Sequence, residues 1–161
     1  MIILGIDPGI ATIGVGVISY DGQKFTTLMY GAVLTPAKTL LENRLCTIYD
    51  EICMLIEKYK PDAASIEELF FNTNVKTAIA VGHARGVILL ACAKCGVPVF
   101  GYTPLQVKQS VTGYGRADKN QVQQMVKVLL NLREVPKPDD TADALAIAIC
   151  HGHSAGSKIK L

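Results

Sequence analysis

The stretch Ile2-Ile3-Leu4-Gly5-Ile6-Asp7-Pro8-Gly9 decides the fold. A short apolar run closed by a turn sequence reads as a strand covered on both faces. Such a strand needs a layer above and a layer below it. Working outward, Gly14 to Tyr20 and Phe25 to Leu34 predict two more strands, joined by a hairpin at Asp21-Gly22. Thr39-Leu40-Leu41-Glu42 reads as a capping box. It opens a helix with apolar positions at Leu41, Leu45, Ile48, Ile52, Leu55, Ile56 and Tyr59, stopped by Pro61.

Ala63 to Glu67 reads as a parallel strand returning to the sheet centre. A long helix is expected from Thr73 or Asn74 to Gly96, then a strand from Val97 to Tyr102. Thr103-Pro104 starts a helix, Gly113 to Arg116 forms a mobile loop, and Asp118 with Gln121 caps the next helix. The core face of that helix is Val122, Met125, Val126, Leu129 and Leu130. Pro136 and Pro138 introduce a last helix over about Asp139 to Cys150. The order predicts an α/β domain over residues 1–152: a mixed five-stranded sheet with helices on both faces, followed by a flexible tail at 153–161.

Composition sets the outer bounds. A chain of 161 residues, half of them hydrophobic and with a net charge of +2, fits one domain and excludes disorder as the main state. No membrane association is expected, because the most apolar window, Val87 to Ala93, is short and flanked by Arg85 and Lys94. Met1 to Ile6 lacks a basic start, so no signal peptide is expected there. Five cysteines at 46, 53, 92, 95 and 150 favour reduced thiols and a cytoplasmic location. Cys92-Ala93-Lys94-Cys95 could be a redox pair or half a zinc site completed by His151 and His153, but reads better as two thiols buried on one helix. His83 reads as a core or interface histidine.

Charge is segregated. Residues 1–69 carry a net −4 and residues 70–137 a net +7, and no acid occurs from Leu69 to Ala117. This suggests a polyanion on one face and a carboxylate site elsewhere. Asp7 and Glu67 end two strands expected to be parallel, and parallel strands share the edge where ligands bind. Asp140 and Asp143, spaced i and i+3, share a helix face and could close the pocket. Four such acids repel one another until a hard cation neutralises them. Oxygen-only donors select Mg²⁺, with Mn²⁺ the alternative, and one or two ions could promote phosphodiester hydrolysis. Individually each acid has a plainer reading: Asp7 a turn residue, Glu67 a solvated strand end, Asp140 and Asp143 groups favouring the helix dipole.

At this point the sequence resembles the RuvC-type Holliday junction resolvases. The stretches are Gly5-Ile6-Asp7-Pro8-Gly9, Ser65-Ile66-Glu67-Glu68-Leu69-Phe70, Gln106-Val107-Lys108-Gln109, Asp118-Lys119-Asn120-Gln121-Val122-Gln123 and Asp140-Thr141-Ala142-Asp143-Ala144-Leu145-Ala146, in family order. The resemblance implies a ribonuclease H-like fold, a homodimer and Mg²⁺-dependent symmetric cutting of a four-way DNA junction in recombination and repair. It implies metal binding by Asp7, Glu67, Asp140 and Asp143, and catalytic or DNA-contacting roles for Lys108 and Lys119. Phe70 falls on an aromatic used near the junction centre, and a branch-migration helicase, RuvA/RuvB, is the implied partner. After Gly9 this chain has Ile10-Ala11-Thr12, where many members have a polar or basic residue.

The residues themselves agree with parts of this. Lys108 and Lys119 lie in the basic stretch and could steady a transition-state charge. Lys76 and Arg116 suit phosphate positioning, while Phe70, Phe71 and Tyr114 are candidates to stack on a base. The helix from Thr73 to Cys95, apolar on more than one face, is the expected dimer contact. Three other functions remain open on sequence: a nuclease for RNA–DNA hybrids, an actin-like nucleotide-binding domain, and a non-catalytic DNA-binding module.

Overall fold

The computed structural model describes residues 1–68 and 75–157. The elements run β1 (Ile2–Asp7), β2 (Thr12–Tyr20), β3 (Phe25–Leu34), α1 (Leu41–Tyr59), β4 (Ala63–Glu67), α2 (Val75–Lys94), β5 (Val99–Tyr102), α3 (Pro104–Thr112), α4 (Lys119–Leu129) and α5 (Asp139–Ser157). The sheet order is β3-β2-β1-β4-β5, with β1–β2 and β2–β3 antiparallel and β1–β4 and β4–β5 parallel. The expected mixed five-stranded sheet is therefore present.

The pleat of β1 splits the core into two layers. Ile3 faces the cluster built with α3, α4 and α5, which includes Val107, Val122, Val126, Leu145 and Ile149. Leu4 and Ile6 face the cluster built with α1 and α2, which includes Ile48, Ile52, Ile56, Ala84 and Ile88. Strict alternation along a strand places successive side chains in opposite layers, so β1 is dry on both faces. The caps expected at Thr103 and Asp118 form, each with its glutamine partner at Gln106 and Gln121.

Three expectations need correction. Thr39 does not cap α1: the N-cap is Leu40 and carries no side-chain hydrogen bond. Entry to α1 is set instead by Thr35, which donates to the Ile10 carbonyl and accepts from Arg44 Nε at 2.8 Å. The Thr39 amide donates to the Pro36 carbonyl. Tertiary anchoring moves the helix start one residue past the local signal.

Helix α5 runs on to Ser157, past the end expected near Cys150, so residues 153–157 continue the last helix. Gly152 is buried so closely on Phe25 that a Cβ there would lie 2.5 Å from its ring. His153 also packs edge-on against the Phe25 ring. The sheet end thus holds a helix turn that its own composition leaves unspecified.

Finally, α2 taken whole is long and apolar enough to cross a membrane by length and composition, which the short window Val87 to Ala93 does not reveal. Here Ala84, Ile88, Ala91 and Cys92 bury one stripe of it. Both Phe70 and Phe71, and the expected start of this helix, lie outside the described residues.

Candidate active site

Asp7 and Glu67 are the last residues of neighbouring parallel strands. The register pairs Gly5 with Ser65 and Ile6 with Ile66, so one further step brings the two carboxylates side by side at the carboxyl edge. Helix α5 crosses that edge with Asp139 and Asp140 in its first turn and Asp143 one turn on.

Glycines set how closely α5 approaches. Gly14 lies opposite Asp7 and Gly16 lies opposite Gly5 in the β1–β2 ladder. A Cβ on Gly14 would sit 1.9 Å from the Asp140 carbonyl oxygen, and one on Gly5 would sit 2.1 Å from that of Ala144. The helix backbone therefore rests on the strand backbone, which carries Asp140 to Asp7. The sequence reading missed Gly14. Its signal was there: a glycine inside a strand often marks close approach by another backbone.

The electrostatics record the convergence. Burial, then the charges of Glu67, Asp143 and Asp140, push Asp7 up from 3.8 to about 8, with Lys119 opposing. Burial and Asp143 raise Glu67, against Lys119 and Lys108. Burial, Asp140 and Asp139 raise Asp143, although Lys119 pulls it down. Lys119 Nζ lies 3.2 Å from Asp143 and 3.5 Å from Asp139. Burial lowers the Lys119 pKa, but the two carboxylates outweigh it and the net shift is upward. Asp139 also takes a 2.8 Å bond from Lys137, which places it in an exposed ion-pair cluster beside the site.

A cleft of about 240 Å³ opens here, lined by Glu67, Lys108, Lys119 and Asp143 over apolar walls that include Val107 and Val122. A larger cavity, about 530 Å³, lies between the ends of α1 and α2, remote from these acids. Tyr114 and Arg116 are exposed in the turn between α3 and α4, the helices that carry Lys108 and Lys119. That turn is hydrogen-bonded: Thr112 Oγ1 accepts from the Tyr114 amide, and the Ala117 amide donates to the Tyr114 carbonyl. Lys76 is exposed in the first turn of α2.

The donor set fits a hard divalent cation in chemistry: it is all-oxygen and partly buried, and burial and then neighbouring carboxylates raise Asp7, Glu67 and Asp143. Among the described residues, no three His, Cys, Asp or Glu side chains stand close enough to hold one ion as placed. The carboxylates meet by charge rather than by contact, with the Lys119 ammonium against Asp143. The zinc alternative for Cys92 and Cys95 does not form. His151 lies 2.7 Å from the Tyr102 hydroxyl and His153 lies against Ser110, in the layer across the sheet from the Cys92 cluster.

Residues 3–151 match the family model described as crossover junction endodeoxyribonuclease RuvC. The chain belongs to the RuvC family of crossover junction endodeoxyribonucleases. It is 63% identical to the RuvC of Ruminiclostridium cellulolyticum over 154 residues, covering 96% of this chain and 93% of that one. The Thermus thermophilus RuvC structure superposes with a TM-score of 0.92 at 38% identity, covering 98% of this chain and 97% of that one. T. thermophilus RuvC in complex with a Holliday junction substrate gives a TM-score of 0.94 at the same identity, covering 98% and 96%. The architecture is thus the expected ribonuclease H-like fold, and nucleases of this family generally use divalent metal.

Proposed function

We propose that this chain cuts four-way DNA junctions by paired, symmetric nicks, with Asp7, Glu67, Asp140 and Asp143 holding one or two Mg²⁺ ions. The observation that carries this reading is the convergence of partly buried acids at one sheet edge, where burial and then the neighbouring carboxylates push Asp7 up to about 8. A carboxylate cluster of this kind is costly without a cation, so it points to a site selected for binding one.

When bound, the divalent ion lowers the pKa of water and offsets charge on the leaving 3′ oxygen. The chain's own groups do the rest. The acids orient and concentrate the cation. Lys119, poised on Asp143 at 3.2 Å, can turn to the scissile phosphate and meet its extra negative charge. Lys108, across the cleft from it, binds the neighbouring backbone. Arg116 and Lys76 position phosphates further out, and Tyr114, 56% exposed, stacks on an unpaired base. Phe70 and Phe71 keep their stacking role as a proposal from the sequence alone.

Symmetric nicking needs two sites related by the junction's two-fold axis, which a C₂ homodimer supplies. The stripe Val75, Ile79 and Leu90 on α2 is 74%, 56% and 53% exposed, away from the buried face of that helix. It is the contact assigned to the second copy. Cooperation with the branch-migration helicase RuvA/RuvB, and action in the cytoplasm, rest on the family likeness.

The test is to mix the purified protein with an end-labelled synthetic four-way junction and Mg²⁺ and map the nicks. Paired cuts at symmetric positions are expected, with little cutting of duplex. Faster cleavage of an RNA–DNA hybrid than of the junction would overturn the substrate assignment and leave the metal site standing.

A further inference from the structure

At the far end of the sheet from the acids, α1 and α2 run side by side. Cys53 projects from α1, flanked by the buried Ile52 and Ile56. Cys95 follows the last residue of α2, its amide still bonded to the Ala91 carbonyl at 3.0 Å. The two sulfurs are 3.7 Å apart, with the Cys95 thiol donating to Cys53 Sγ. Both line the cavity of about 530 Å³ between the helix ends, beside Glu57 and Lys60. Cys95 is therefore not the buried apolar group expected of it, whereas Cys92 is.

The remaining thiols are poor competitors. Cys92 is fully buried, and burial pushes its pKa up to about 11. Cys150 is buried in the other layer, against the Gln106 carbonyl. Cys46 sits two helical turns from Cys53, ~10 Å along α1.

We propose that Cys53 and Cys95 form a modification site, closing reversibly into an intramolecular disulfide when a peroxide reaches the cavity. One thiol attacks the peroxide, giving a sulfenic acid and water. The other thiol then attacks that sulfur, forming the S–S bond and releasing a second water. Two thiols lose two electrons and two protons, and the O–O bond is reduced. A bonded pair needs S–S of ~2.05 Å, so the sulfurs close by less than ~2 Å, a distance side-chain rotation covers. Burial, the hydrogen bond to Cys53 and the charge of Glu57 raise the Cys95 thiol, so bridging quickens at alkaline pH. The bond staples α1 to the end of α2 and leaves the acidic cleft untouched.

The full chain, reduced and then freed of reductant, is treated with hydrogen peroxide and alkylated. The expected result is loss of two hydrogen masses, a linked peptide joining Cys53 and Cys95, and full reversal by dithiothreitol. Because the bond closes a loop of about forty residues, the melting midpoint of the oxidised form rises by about 5–10 °C. Cys53→Ser abolishes the mass loss and the shift and keeps wild-type junction cleavage. The proposal is overturned if both thiols stay open to alkylation after peroxide. Mapping of the bond to Cys92–Cys95, or between two chains, would overturn it equally.

Discussion

Asp7→Asn should remove a pH-dependent weakness that the wild-type chain shows without metal. In the folded chain Asp7 keeps its proton to about pH 8, against a reference of 3.8 when exposed. Between those limits the folded state holds a proton that the unfolded state has lost. Stability therefore falls as pH rises through that window and levels off above it. From about pH 5.5 to 8, at ~1.4 kcal/mol per pH step, the ceiling is ~3.4 kcal/mol. Water entering the cleft and carboxylate relaxation should halve this, to ~1.5–2 kcal/mol. For a domain of this size that is a fall of ~4–7 °C in melting midpoint. Glu67 and Asp143, also raised, add in the same direction. The assay is thermal unfolding in chelator at several pH values, wild type beside Asp7→Asn, then again with Mg²⁺. The variant should keep its melting midpoint between about pH 5.5 and pH 8, while the wild type falls by that margin, so the gap between them widens with pH. Mg²⁺ should restore the wild type at the alkaline end and leave the variant nearly unmoved. Parallel pH profiles for the two proteins would refute the claim that charge crowding at this edge is what a cation relieves.

Three other outcomes follow from the same geometry. Gly14→Ala drives a Cβ toward the Asp140 carbonyl and should cost ~1–3 kcal/mol in denaturant unfolding, with junction cleavage down ~10²-fold as α5 shifts; Gly31→Ala, which meets open space, is the silent control. Lys119→Ala removes a charge that holds Asp7, Glu67 and Asp143 down, so cleavage should fall ~10²–10³-fold and its pH profile move to alkaline pH, while Lys119→Arg retains more activity. Ile79→Glu with Leu90→Glu places charges on the exposed α2 stripe and should give monomers by analytical ultracentrifugation, with single rather than paired nicks.

What the sequence settled by itself is what short-range chemistry controls. The apolar run of β1, the caps at Thr103 and Asp118 and the hairpin signal at Asp21-Gly22 between β2 and β3 each report on residues a few positions apart. Those signals were enough for the sheet, the helix order and the choice of Asp7, Glu67, Asp140 and Asp143 as candidates. Tertiary structure decided the rest, because each remaining feature joins distant segments. Thr35 and Arg44 overrode the Thr39 signal at the start of α1, and Phe25 held α5 together past Gly152. Gly14 and Asp140, over a hundred residues apart, meet backbone to backbone. Cys53 and Cys95 became neighbours only when α1 packed on α2. The pKa of Asp7 is the clearest case: the residue is legible in its motif, but burial and three carboxylates brought from other elements set its charge. Solvation and charge crowding depend on what surrounds a group in space, and local sequence does not carry that information.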